Sequence, residues 1–230
     1  MSDHIVSAFT DELDKLAADI LRMGGIVETM ILDACAAVNS NDVDLARNVV
    51  ARDEQVDKIE ADVERQIVSL IARRQPMAHD LRAVFSALKV VGELERIGDL
   101  SKNIAKRTQR LDENVGASMR KGIYRMASPV SRQLNMVLDA YATGNAAAAK
   151  AVWEGDEDID QHYNSLFREM LTYMIEDPRT IGAGAHMLFM AKNLERIGDH
   201  CTNIAEFVYF QATGEYLLST DRPKTPHLDG

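Results

Sequence analysis

The sequence predicts an all-α protein made of two tandem three-helix bundles that arose by internal duplication. Three observations predict it. Helix breakers are sparse, with 13 glycines and five prolines in 230 residues. Long stretches place apolar residues at steps of three and four, the period of a helix with one buried face, and none alternates as a half-buried strand does. A block near the end of the first half also recurs near the end of the second.

The first stripe runs Ile5, Phe9, Leu13, Leu16, Ile20, Met23, Val27, Met30, Ala34, Val38 and predicts one helix of about 35 residues. It ends in the polar turn Asn39-Ser40-Asn41-Asp42, where Asp42 is placed to cap the next helix. The second helix is predicted over 42–73, with Val49, Val56, Val63, Ile67 and Leu70 on one face, and Arg74-Gln75-Pro76-Met77 breaks it. The third, over 80–111, carries Leu81, Val84, Leu88, Val91, Leu94, Ile97 and Ile104. A link over 112–116 follows. The second half repeats the layout: a helix over 117–141 with a kink or break at Pro129, another over 145–174, and a sixth over 180–212. The domains expected are residues 1–112, residues 113–213 and a mobile polar tail over 214–230. Three long helices joined by short loops pack up-down-up.

The repeat is legible residue by residue. Residues 94–105, LERIGDLSKNIA, align with 194–205, LERIGDHCTNIA, with nine of twelve positions identical at a spacing of 100. A weaker match joins 53–57, DEQVD, to 156–160, DEDID, at a spacing of 103.

Each matched block holds two acids four residues apart: Asp53 and Asp57, Glu95 and Asp99, Asp156 and Asp160, Glu195 and Asp199. That spacing sets both carboxylates on one helix face, one turn apart. Asp53 shares a row with Val49, Val56 and Val63, and Glu95 follows Leu88 and Val91, so these acids lie on or beside the buried stripe. An unpaired carboxylate there is costly, and four converging ones repel strongly. An arginine, a shared proton or a metal ion would neutralise them, and oxygen-only ligation suits Mg, Mn, Ca or ferric iron, with Zn also open. The competing reading is a set of solvated acid rows, with Arg96 and Arg196 in surface ion pairs. His200 adjoins Asp199, but its repeat partner is Leu100, so a ligand role common to both halves is excluded.

Composition narrows the function classes. A net charge of −10 argues against nucleic acid as a partner. No apolar run approaches the roughly 18 residues needed to cross a bilayer, and the acidic N-terminus is unlike a secretory signal. Cys35 and Cys201 are isolated in apolar stretches and read as buried thiols, with the cytoplasm as the expected address. P-loop, nucleophile-elbow and zinc-protease motifs are absent, and no catalytic site is expected.

The doubled ERIGD block, each copy followed by Asn-Ile-Ala, together with residues 74–82, RQPMAHDLR, resembles the PhoU family of bacterial phosphate-signalling regulators over residues 1 to about 213. The resemblance implies two three-helix bundles and multinuclear metal clusters (Fe, Zn, Mn or Mg) on acid-x-x-x-acid motifs. Those match Asp53, Asp57, Glu95, Asp99, Asp156, Asp160, Glu195 and Asp199 here. It further implies a cytoplasmic protein, often a homodimer, that reaches the membrane only through partners. The implied role is negative regulation of phosphate uptake and of the phosphate-starvation regulon. The implied partners are the ATPase subunit of the phosphate ABC transporter and the phosphate sensor histidine kinase. Two alternatives stay open. A ferritin-type dimetal oxidase or storage protein would use Glu-x-x-His, and none of the six histidines has a Glu three residues before it. The other is a metal-free helical scaffold.

Overall fold

The computed structural model describes residues 2–111, 116–155 and 157–217, and the side chains of 2–8, 157 and 158 are not described. Its helices are α1 (Ser2–Ser40), α2 (Val43–Arg74), α3 (His79–Thr108), α4 (Ala117–Thr143), α5 (Ala146–Glu154), α6 (Glu157–Glu176) and α7 (Ile181–Thr213). A 3-10 turn, Pro178–Thr180, precedes α7, and no strand occurs among the described residues.

Local chemistry sets the boundaries. Asp42 caps α2: its Oδ1 accepts from the backbone amides of Asp44 at 3.0 Å and Leu45 at 2.9 Å. Asn145, 103 positions later, caps α5 in the same way through the Ala148 amide at 3.1 Å. The α2–α3 turn needs two non-glycine residues at positive φ, Gln75 and Ala78, each at 49°. Pro129 does not end α4, which runs through it. The residue follows exposed Ser128 on a partly exposed flank, where water can serve the carbonyl left without a donor. The helix expected over 145–174 is instead two, because α5 stops at Gly155. A glycine holds a helix weakly, and the Gly155 amide closes α5 on the carbonyls of Ala151 and Val152.

The α1, α2 and α3 helices pack against one another, and α4 packs on α5, α6 and α7. The two units join through α3 on α7 and α1 on α4, under one continuous core that includes Ile20, Met30, Leu94, Ile104, Leu134 and Ile197. Full burial of each such side chain contributes about 1.5–3 kcal/mol. Polar contacts show that α3 and α7 run antiparallel. Ser86 Oγ donates to the Phe207 carbonyl at 3.0 Å, and Arg107 Nη1 lies 3.3 Å from His186 Nδ1. Adding 100 to the α3 member of either pair and subtracting 100 from its α7 member gives the other pair. The α3–α7 crossing is therefore a pseudo-two-fold axis of the duplication.

Both cysteines are buried and neither is in a disulfide. Of the polar tail, Tyr216 still stacks on Phe210 at 4.4 Å and Leu217 is buried, while 218–230 lie outside the described residues, as does the link over 112–115.

Candidate functional site

In the first repeat, Asp53 projects from the buried face of α2 between Val49 and Val56 and is only 6% exposed. Across from it, α3 supplies Glu95, Asp99 and, one turn on, Lys102. The Lys102 ammonium donates to Asp53 Oδ2 and to Asp99 Oδ1, which ties α2 to α3. Burial holds the Asp53 carboxyl above the usual aspartate range against the pull of Lys102, and the charges of Asp57 and Asp99 add to the rise. Burial likewise raises Glu95, and Asp99, Asp57 and Asp53 each push it further. The fold thus brings the four expected acids of this repeat within electrostatic reach of one another. Burial disfavours the charge on Lys102, but its hydrogen bonds to Asp53 and Asp99 hold its ammonium well above the ordinary lysine value.

Two members of this cluster escaped the sequence reading. Lys102 continues the row of Glu95 and Asp99. Glu60 continues the row of Asp53 and Asp57, and burial, then repulsion from Glu95, Glu64 and Asp57, pushes it up to about 7. Repeating the four-residue step reaches Asn103 and Ala61, whereas a step of three beyond the second acid of each pair reaches Lys102 and Glu60.

The second repeat is built differently. Glu195 is mostly buried; Lys192 donates to its Oε1 at 2.6 Å, and its Oε2 is buried with no hydrogen-bond partner in the protein. Asp160 on α6 and Asp199 on α7 are exposed, and Asp156 lies outside the described residues. The Lys192 ammonium sits 5.5 Å from the Tyr163 ring centre. Burial works against its charge, while Glu195, Tyr163 and Asp199 hold its pKa up. By the 103-residue spacing, Tyr163 and Phe167 stand where Glu60 and Glu64 stand in the first repeat, and their rings pack at 6.1 Å. Thr202 stands where Lys102 stands, and turns its hydroxyl onto the Gly198 carbonyl at 3.2 Å.

The two repeats meet at a third polar group. Glu93 Oε2 accepts from His200 Nδ1 at 2.6 Å and from Asn203 Nδ2 at 3.0 Å, joining α3 to α7. The sequence placed His200 and Asn203 in the repeated block, but nothing in the pattern pointed to Glu93, whose repeat partner is Asn193.

The donor set is carboxylate oxygen, which suits a hard cation, and the unpartnered Glu195 Oε2 is the kind of atom such an ion would satisfy. As the side chains stand, no three His, Cys, Asp or Glu residues among those described are grouped to hold a metal ion. In the first repeat, a lysine stands between the carboxylates. Gly98 lets α3 approach α2 closely: a Cβ there would lie 3.2 Å from Val56 Cγ1.

The PhoU domain family matches residues 20–108 and again 123–208. The "Phosphate-specific transport system accessory protein PhoU homolog" of Caulobacter vibrioides (strain NA1000 / CB15N) is 50% identical over 225 residues, covering 97% of each chain. The "Phosphate-specific transport system accessory protein PhoU" of Escherichia coli (strain K12) is 35% identical over 215 residues, 94% of this chain and 89% of that one. Among solved structures, the crystal structure of PhoU from Pseudomonas aeruginosa superposes with a TM-score of 0.82 at 36% identity, covering 90% of this chain and 100% of the other. The phosphate transport system regulatory protein PhoU from Streptococcus pneumoniae gives 0.84 at 30% identity, over 91% and 99%. The doubled match falls on the two halves that the α3–α7 axis relates, and with identity carried along nearly the whole length, this chain belongs to the PhoU family.

Proposed function

We propose that this chain is an accessory protein of phosphate-specific transport that restrains phosphate uptake and the phosphate-starvation regulon when phosphate is plentiful. The observation that carries the reading is the near-complete coverage of relatives named for that transport system. The chain acts as an adaptor, in the cytoplasm and without catalysis, between the transporter's ATPase subunit and the sensor histidine kinase. Two helix-turn tips support two-ended binding. The α2–α3 turn and the start of α3 expose Met77 (80%) and Leu81 (46%), and the corresponding turn before α7 exposes Ile175 (79%) and Ile181 (52%). Because α3 and α7 are antiparallel, these tips lie at opposite ends of the molecule, and unpaired apolar side chains on a surface are what a protein partner covers. Membrane proximity comes through the partners, since no helix among the described residues is long and apolar enough to cross a bilayer. A second copy of the chain is a further expected partner.

The acid rows take cations in this reading. Asp53, Asp57, Glu95 and Asp99 would serve the first repeat, and Asp156, Asp160, Glu195 and Asp199 the second. A bound ion would supply positive charge that fastens the second helical segment of a bundle to its third. The test is genetic and direct. Deletion of the gene should raise alkaline phosphatase in phosphate-rich medium, and the wild-type chain should restore repression. A chain carrying Met77→Asp and Ile175→Asp should fold but fail to restore it. Normal repression in the deletion strain would refute the regulatory role.

A further inference from the structure

The two repeats are alike in backbone and unlike in how they neutralise their acids. In the first, Lys102 is mostly buried and bonded to a carboxylate from each helix, while exposed Arg96 attracts Glu95 and Glu60 only through space. In the second, Thr202 replaces it and bonds only to its own helix. Lys192 reaches Glu195 within α7 at a half-exposed position, and one Glu195 oxygen remains buried without a partner.

We propose that Lys102 is the tethered counter-ion of the first repeat: its ammonium occupies the place between Asp53 and Asp99 that a metal ion would otherwise fill, so α2 and α3 close there without one and an ion must displace the ammonium to bind. Breaking a buried pair by removing one partner leaves an uncompensated charge, which is far more damaging than removing both partners. Asp53 is the charge that would be stranded, since it is buried and Asp99 is about half exposed. The inference deepens the cation reading of the acid rows, and its core can be tested with no metal present.

The experiment compares thermal unfolding of the full chain, Lys102→Met, Asp53→Asn and the double variant, first in EDTA and then with millimolar MnCl2. In EDTA, Lys102→Met should lower the Tm by about 5–10 °C, and adding Asp53→Asn should recover most of that loss. Manganese should then raise the Tm of Lys102→Met by more than that of the wild type, because the carboxylates of the first repeat are open to it. If Lys102→Met unfolds outright, a folded double variant supports the assignment and an unfolded one overturns it. A Tm for Lys102→Met within about 1 °C of wild type in EDTA, or a double variant no more stable than Lys102→Met, also overturns it. If the EDTA results hold but manganese moves neither chain, the counter-ion role stands and the cation reading of the acid rows falls.

Discussion

Replacing Glu93 with glutamine should weaken the join between the repeats in a pH-dependent way. The Glu93 side chain is 17% exposed and His200 13%, so the pair is largely shielded from water. Glutamine keeps the shape but removes the charge, and its amide cannot accept two hydrogen bonds as strongly as a carboxylate. The bonds from His200 at 2.6 Å and Asn203 at 3.0 Å are charge-assisted or short, and weakening both should cost about 2 kcal/mol near neutral pH. For a chain of this size that is a fall in Tm of about 4–8 °C. Burial alone would raise the Glu93 carboxyl, but the His200 and Asn203 hydrogen bonds outweigh it and hold the pKa below the ordinary 4.5. A depressed carboxyl contributes stability that is present above its unfolded pKa and lost as pH falls through its folded one. The gap between wild type and Glu93→Gln, followed by circular dichroism, should therefore be full at pH 7 and close below about pH 4.5. A gap that is constant from pH 7 to pH 3.5, or absent throughout, would refute this account of how α3 is fastened to α7.

Three further outcomes follow from single contacts. Trp153, the only tryptophan, is 1% exposed and donates Nε1–H to Glu206 at 2.8 Å, so Trp153→Phe should lose about 1–2 kcal/mol in denaturant melts. Glu60, held near 7 by burial and by Glu95, favours the folded chain when protonated, so its contribution declines as pH rises from 4.5 towards 7. Glu60→Gln should stabilise by about 1 kcal/mol at pH 8, after allowance for solvent screening, and by nothing measurable at pH 4.5. Burial pushes the Cys35 thiol up to about 12, so iodoacetamide at pH 8 should spare it in the native chain and label it once urea unfolds the protein.

Most of the fold could be read from the sequence because its signals are local and repeated. The stripe from Phe9 to Val38 falls within α1, Asp42 caps where a cap was expected, and Gln75-Pro76 ends α2. Two breakers behave differently, because tertiary context decides what a single one does. Pro129 is expected to kink or break its helix and α4 continues through it, whereas the helix expected over 145–174 runs across Gly155 and divides there. Pro129 sits on a partly exposed flank where one missing donor is tolerated, whereas Gly155 sits where α5 closes its last turn. The site was only half legible. Asp53 could be placed beside the core because its neighbours in the row are valines. That Lys102, rather than Arg96, pairs with the cluster depends on which side of α3 faces α2. The Arg96 side is exposed, while Lys102 follows buried Gly98 and Ser101 into the α2–α3 seam.

Duplication explains why the two halves are shaped alike, and the residues at the α2–α3 seam explain why they need not respond alike. Positions that pack the core, such as Leu94 and Leu194 or Ile97 and Ile197, are kept in both copies, since a change of volume there is felt throughout a close-packed interior. Positions that face the acid row have diverged: Glu60 against Tyr163, Glu64 against Phe167, Lys102 against Thr202 and Gly92 against Lys192. The first repeat carries more negative charge in its row and holds its own ammonium within it. The second replaces two acids by a tilted pair of aromatic rings and leaves a buried carboxylate oxygen unsatisfied. Glu93 links the two acid rows across the α3–α7 seam. It lies two residues from Glu95 in one repeat and binds His200, the neighbour of Asp199, in the other. The α3–α7 seam therefore joins an acid row that Lys102 neutralises across two helices to one whose lysine bonds within a single helix.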